Sequence, residues 1–249
     1  TKNLKTVKVE KVEKVEKVNP VHFDAQVLVA LATRQRPELA ARTVSEAQRR
    51  SALGLSTASE ARVAYHMLVD HDDPAIDEYM ALSAELGCSL WVSTAEEQTK
   101  VNAVNQSVST YTGGWRVCVA LSDDFVCEAD GWDMKLTGAF AETSDAVLMT
   151  SDGYTFPRLN TLPIFGRDWY DRFGYVYHPS YSSWYADNEF MRVSRLLGKE
   201  MTMAEVLFRH AHPMRDQRAA WDELYRRNDA VSGADRENYN LRLAGGFGL

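Results

Sequence analysis

Two adjacent carboxylates, Asp123 and Asp124, follow Ser122 at the end of the apolar run Val117–Leu121. Carboxylates side by side repel one another, so a cation is a natural partner, and their hard oxygens suit Mg²⁺ or Mn²⁺. A cation there could bridge a diphosphate and stabilise it as a leaving group. The plain alternative is a solvated turn or a helix N-cap. Asp187 is suited to take a proton from an attacking hydroxyl, with Glu189 as substitute or helper; it could equally cap a helix beginning at Asn188. His210 and His212 alternate, so on a strand they share a face, where either could ligate a metal or donate to a diphosphate. Arg34 and Arg36 are charge-assisted donors for phosphate, and Arg36 precedes Pro37 at a helix start, where an anion is already favoured. Trp184 and Tyr185, just before Asp187, are the aromatic candidates for contact with an acceptor.

The elements that must position these groups alternate in type. Val27–Ala32 is a short apolar run of the kind buried in a parallel sheet. Pro37 opens a helix to Arg50, Val63–Val69 forms a second strand, and Pro74 opens a helix that Gly87 stops after Leu86. Ser89–Val92 is a third strand. Glu96–Thr110 is a helix with Val101, Val104 and Val108 on one face, and Val117–Leu121 is a fourth strand. Such repeats predict an α/β fold, a mostly parallel sheet flanked by helices. Ligands in these sheets bind beyond the carboxyl ends of the strands. Those ends present Thr33-Arg34-Gln35-Arg36, Asp70-His71-Asp72-Asp73, Ser93-Thr94 and Ser122-Asp123-Asp124. The second half is less regular: a helix Trp132–Glu142, a strand Ala146–Met149, an aromatic-rich stretch 151–186, and helices Asn188–Leu197 and Trp221–Asn228. Most of those aromatics are expected to pack a small second layer.

A chain of 249 residues is long enough for one large α/β domain. Its net charge of −7 argues against a protein that coats nucleic acid. No apolar run reaches the roughly 18 residues a membrane helix needs. The three cysteines form no CxxC pair, and with no secretory-type opening they suggest a reducing cytoplasm. Residues 1–19 repeat Val-Glu-Lys and read as a flexible charged tail, or else as an edge strand or helical arm that docks on a partner.

Taken in order, Val27–Thr33, Asp70–Pro74, Lys100–Asn105, Leu121-Ser122-Asp123-Asp124-Phe125 and Gly131-Trp132-Asp133 resemble the inverting GT-A glycosyltransferases of the large family 2 type. Ala186-Asp187-Asn188-Glu189-Phe190 resembles that family's acceptor-side acidic motif. His210-Ala211-His212-Pro213 resembles the HxHP ending of a subset of related enzymes, several of them phage-encoded. The resemblance spans about residues 23–245. It implies a Rossmann-like GT-A domain over 20–245, with a nucleotide-sugar half (20–125) and an irregular, aromatic-rich acceptor half (126–245).

The resemblance also implies roles. Thr33 and Arg34 would lie near the base and ribose, Asp72 or Asp73 would bond the base, and Lys100 and Asn105 would face the donor. Asp123 would contact ribose or sugar. Asp124 would hold Mn²⁺ or Mg²⁺, with His212 favoured over His210 as a further ligand, and Asp187 would be the general base. Many members carry an Asp where this chain has Ser122, which leaves open which aspartate binds metal. The implied donor is a UDP-sugar. The phage-type relatives imply a hydroxymethylated DNA base as one acceptor, with Arg167, Arg172, Arg192, Arg195, Arg209, Arg215 and Arg218 as phosphate contacts, and a host-cytoplasm location. Glycan and protein acceptors are the alternatives. Nucleotidyl transfer is a rival class, but no Gly-rich phosphate loop follows the first strand. A degenerate nucleotide-binding domain is the non-enzymatic rival, opposed by Asp187 and the His pair.

Overall fold

The computed structural model describes residues 25–53, 63–96, 98–214, 216 and 219–249; the predicted tail 1–19, Arg215 and Arg218 lie outside the described residues. The strands are β1 (Ala25–Ala32), β2 (Val63–Asp70), β3 (Ser89–Ser93), β4 (Trp115–Ser122), β5 (Phe125–Cys127), β6 (Val147–Ser151), β7 (Ile164–Gly166), β8 (Glu200–Val206) and β9 (Phe208–His210). The helices are α1 (Pro37–Arg50), α2 (Ile76–Leu86), α3 (Lys100–Ser109), α4 (Trp132–Ala139), α5 (Arg167–Phe173), α6 (Ala186–Leu196), α7 (Glu223–Asp229) and α8 (Ser232–Ala244).

β1 is covered on both faces, and its alternation feeds two cores. Val27, Val29 and Leu31 meet Ala40, Val44 and Ala47 of α1. Leu28 and Ala30 join Val101, Val104 and Val108 of α3 and Phe190 and Val193 of α6. Each fully buried aliphatic side chain contributes about 1.5–3 kcal/mol, so polar Gln26 is tolerated because its position is exposed.

One sheet of seven strands runs β3-β2-β1-β4-β7-β6-β8. Only β7 runs against its neighbours β4 and β6, and β8 pairs parallel with β6. Gly166 ends β7 where no side chain fits: a Cβ there would lie 2.1 Å from the Ser144 carbonyl oxygen. The first-half elements stand where the sequence places them, with trimmed helix starts. The helix expected at Pro74 begins at Ile76, and that expected at Glu96 begins at Lys100, where Thr99 accepts from the Asn102 amide as N-cap. The helix Trp132–Glu142 ends at Ala139. Gly87 is left-handed, as a helix stop requires. The sequence reading missed β7, β8, β9, β5, α5 and α8; three-residue strands are too short to show a period. Phe165, Trp169, Tyr177 and Tyr181 of the aromatic stretch are core residues.

A two-stranded ribbon, β5 with β9, sets Phe125 opposite His210. Below it, Thr43 of α1 donates its hydroxyl to the carbonyls of Asp123 and Phe125, at 2.9 and 2.8 Å. The turn carrying the acidic pair is therefore pinned from within the core. Thr43→Val keeps the shape and strands these carbonyls. It is expected to lower unfolding free energy by about 1–3 kcal/mol in a denaturant titration; an unchanged midpoint would show that the turn does not need this support.

Candidate active site

The parallel register delivers the strand ends together. Ala32 pairs with Leu68 on one side and Ser122 on the other, so the residues just beyond meet. The Thr33 hydroxyl donates to Asp123 Oδ2 at 2.7 Å. A cavity of about 230 Å³ opens here, reached by Thr33, Arg34, Arg36, Lys100, Asp123 and Asp124 from the sheet side. Trp184, Asp187, His210 and His212 reach it from the second half.

Each charged group has defined partners. Arg36, buried, grips Asp222 through two 2.7 Å bonds, reaches Asp123 Oδ1 at 3.0 Å and lies 4.0 Å over the Tyr225 ring. It therefore ties α7 to the acidic pair, with its donors engaged inside the protein. Arg34 is held by Asp70 at 2.8 Å and by both oxygens of Asp72. Asp124 Oδ1 accepts from Ser122 Oγ at 2.9 Å, while Oδ2 faces His210 Nε2 at 3.2 Å and accepts from the Tyr225 hydroxyl at 3.1 Å. His210 stacks on Phe125, and its ring centre lies 5.3 Å from that of His212.

The two carboxyls of the pair are driven apart. Burial pushes Asp123 up to about 6, with Arg36 opposing and Asp124 adding to the rise. Burial works most strongly against Asp124, but His210, Lys100 and the Ser122 hydroxyl together hold that carboxyl well below the usual range. Burial, aided by His210, lowers His212 to about 4, so its imidazole is neutral near pH 7 with a lone pair to offer. Asp187 is pushed above the usual carboxylate range by burial, against the pull of Lys100.

That last shift has a stability consequence. A carboxyl that binds its proton more tightly in the folded state adds stability below its unfolded pKa and loses it as pH rises through the folded pKa. Asp187→Asn cannot ionise, so it is expected to melt at a higher temperature than the wild type at pH 7, with no such gain at pH 3. Equal melting temperatures at pH 7 would contradict the upward shift.

Some predicted site residues stand away from the cavity. Glu189, expected as a catalytic partner of Asp187, is buried on Tyr181 and Arg242, at 2.7 Å from the Tyr181 hydroxyl. Two positions on an α-helix are about 200° apart, so Asp187 in the cavity turns Glu189 into the core. Asn105 accepts from the amides of Val176 and Tyr177 and donates to the Tyr177 carbonyl, bracing a loop where a donor contact was expected. Asp73 accepts from the amides of Gln35 and Ala75, closing a turn, and Asp72 engages Arg34 at an exposed position. Tyr185 packs on Tyr239. The helix expected from Asn188 starts at Ala186, placing Asp187 within its first turn, where it accepts from the Asn188 amide.

Other cavity residues were missed: Asp70, Gln98, Asp152, Trp221 and Tyr225. Asp222 is the N-cap of α7, accepting from the Tyr225 amide. This Asp-x-x-Tyr spacing, with Trp221 and Tyr225 four residues apart, was the available signal.

Among the described residues no group of three or more His, Cys, Asp or Glu is arranged to hold a metal by itself. Asp124 and the neighbouring imidazoles of His210 and His212 are the groups that could contribute ligands to a divalent cation, which would need further ligands from outside the protein. Among the described residues no helix is long and apolar enough to cross a membrane.

A mostly parallel seven-stranded sheet flanked by helices, with its cavity at the strand ends, is the GT-A, Rossmann-like glycosyltransferase fold. A mannosyltransferase from Pyrobaculum calidifontis, solved with GDP-mannose and Mn²⁺, is similar over 77% of this chain and 58% of its own, at 12% identity and a TM-score of 0.59. S. aureus TarS 1–349 in complex with UDP is similar over 74% of this chain and 59% of its own, at 10% identity and a TM-score of 0.54. The catalytic domain of Drosophila β1,4-galactosyltransferase 7, solved with xylobiose, is similar over 83% and 80%, at 12% identity and a TM-score of 0.51. The chain thus spans less than two thirds of the mannosyltransferase and TarS chains. No protein-family model and no curated protein sequence matches the chain.

Proposed function

We propose that this protein is a glycosyltransferase that moves a sugar from a nucleotide-sugar donor, a UDP-sugar by preference, to an acceptor hydroxyl with inversion. The observation that carries the reading is that Asp123, Asp124 and Asp187 line one cavity at the carboxyl ends of a GT-A sheet. Residues 20–125 form the donor half and 126–245 the acceptor half. Thr33, Arg34 and Asp70 border the nucleoside, and Lys100, an exposed residue lining the cavity, meets the diphosphate.

Asp124 with His210 or His212 would hold Mn²⁺ or Mg²⁺, which would supply charge neutralisation for the departing diphosphate. Asp187 takes the acceptor hydroxyl's proton as the new bond forms from that oxygen to the anomeric carbon. The bond from that carbon to the diphosphate oxygen breaks, and the nucleoside diphosphate leaves with the electron pair. One displacement from the opposite face inverts the centre.

Trp184 and Trp221 flank the acceptor side, and aromatic faces of this kind suit a neutral sugar ring. A hydroxymethylated DNA base is the second acceptor class. Its phosphate contacts are poorly supplied: Arg167, Arg172, Arg195 and Arg209 are each paired with a carboxylate. We therefore favour a glycan or small glycoside.

The test is nucleotide release from UDP-glucose, UDP-galactose, UDP-N-acetylglucosamine and GDP-mannose with Mn²⁺ or Mg²⁺, with and without glycan acceptors and hydroxymethylated DNA. Metal-stimulated release from one donor supports the reading. Absence of both release and nucleotide binding across the panel defeats it.

A further inference from the structure

α8 lies outside the cavity, yet one of its faces holds the segment that carries Trp184 and Asp187. Asp235, Asn238, Tyr239 and Arg242 follow i, i+3, i+4, i+7 spacing and so share a face. Each meets residues 180–189 in turn. Asn238 donates to the Ser180 carbonyl and hydroxyl, both at 2.9 Å. Tyr239 packs on Tyr185 with ring centres 5.6 Å apart. Arg242 pairs with Glu189 at 2.7 and 2.6 Å.

Asp235 makes the tightest set. Its carboxylate, 3% exposed, accepts from three successive backbone amides: Ser182 at 2.9 Å, Ser183 at 2.8 Å and Trp184 at 2.8 Å. The same turn is held on its other side, where the Val101 amide in the first turn of α3 donates to the Ser182 carbonyl at 3.1 Å. Tyr185 follows at φ 63°, a left-handed conformation rarely adopted by a bulky side chain. Such a conformation persists where the surroundings fix it from both sides. The next helix then starts with Asp187 in its first turn.

We propose that Asp235 is a positioning residue for the transfer reaction: by gripping the 182–184 turn from behind, it sets the Trp184 wall and the Asp187 base relative to the donor. This rests on the glycosyltransferase reading. Asparagine at 235 has the same shape but turns one of the two acceptor oxygens into an NH₂ group, which faces an amide N–H. The hydrogen bonds to this carboxylate come from the 182–184 amides, and the strand ends that carry Thr33 and Asp123–Asp124 lie on other elements.

The experiment compares wild type, D235N, D187N and the double variant. Amide hydrogen exchange comes first and needs no substrate: residues 182–187 are expected to exchange faster in D235N, with Thr33 and residues 122–125 unchanged. UDP titrated in the presence of Mn²⁺ is expected to bind D235N as it binds wild type. With the donor and acceptor giving the fastest turnover in the panel, kcat is expected to fall about 10²-fold, the cost of misplacing reacting groups by about 1 Å. In the D187N background, D235N is expected to cost little further, because the two act through one group. R242Q, which loosens α8 at its far end, is the control and should spare exchange at 182–184. If D235N does not fold, D235S, whose hydroxyl can still accept from one amide, is measured in the same way.

Wild-type exchange at 182–184 in D235N overturns the proposal, as does an equal acceleration in R242Q. Full additivity of the two variants in kcat also overturns it. A D187N variant that transfers at the wild-type rate defeats the base assignment instead. In that event D235N must still raise the acceptor KM through Trp184, and an unchanged KM overturns the proposal.

Discussion

Asp187→Asn is expected to slow sugar transfer by about 10²–10⁴-fold, the range a positioned general base supplies, while UDP binding stays unchanged. The carboxylate belongs to a residue lining the same cavity as the acidic pair, within the first turn of α6. Asparagine keeps the volume and the acceptor for the Asn188 amide but cannot take a proton. Loss should fall on kcat, since the group acts on the acceptor hydroxyl only as the bond forms. The wild-type rate should fall on the acid side with a midpoint above about 4, the ordinary carboxylate value, because burial raises this carboxyl. Single-turnover rates with the donor found in the panel, measured across pH, check both statements. A variant that transfers at the wild-type rate would require another base, and Glu189 is a poor successor because it is locked to Arg242.

The second large effect is expected at Asp124. Asp124→Asn should weaken Mn²⁺-dependent UDP binding by more than about 100-fold, since even residues that only orient a metal ligand are worth about 10–100-fold. UDP binding measured without metal should change little. Ser122, His210 and Tyr225 all converge on this carboxylate, so its orientation is set before any ligand arrives. Calorimetric titration of UDP with and without Mn²⁺ decides the matter. Equal Mn²⁺-dependent affinity in variant and wild type would remove Asp124 from the metal.

The sheet half of the molecule was legible because its strands are long and apolar on both faces. Val27–Ala32 and Val117–Leu121 could be little else than buried parallel strands, and their charged ends had to meet once the strands paired in register. The second half was less so, for identifiable reasons. β7 and β9 are three residues long, too short for a period. α8 carries Leu241 and Leu243 exposed, so its pattern is not that of a helix packed by apolar residues; it docks through Asp235, Asn238 and Arg242. Glu189 sits on Tyr181 and Arg242 because helical phase, which residue type does not signal, turns it away from Asp187. Arg36 was expected at phosphate; what bound it, Asp222, lies 186 residues further along the chain, where no local pattern could signal it.

The β5–β9 ribbon has a temporal meaning as well. A chain made N-terminus first at about 5–20 residues per second extrudes Asp124 well ahead of His210, 86 residues later, a gap of roughly 4–17 s at that pace. Every strand of the large sheet precedes β9 in the chain. A nascent protein can therefore complete its scaffold while the acidic pair still lacks its histidine and its tyrosine. Synthesis thus leaves the cavity without two of the groups that hold Asp124 until the sheet is made, so a fragment ending before Phe208 keeps the strands of the large sheet and the acidic pair but not His210 or Tyr225.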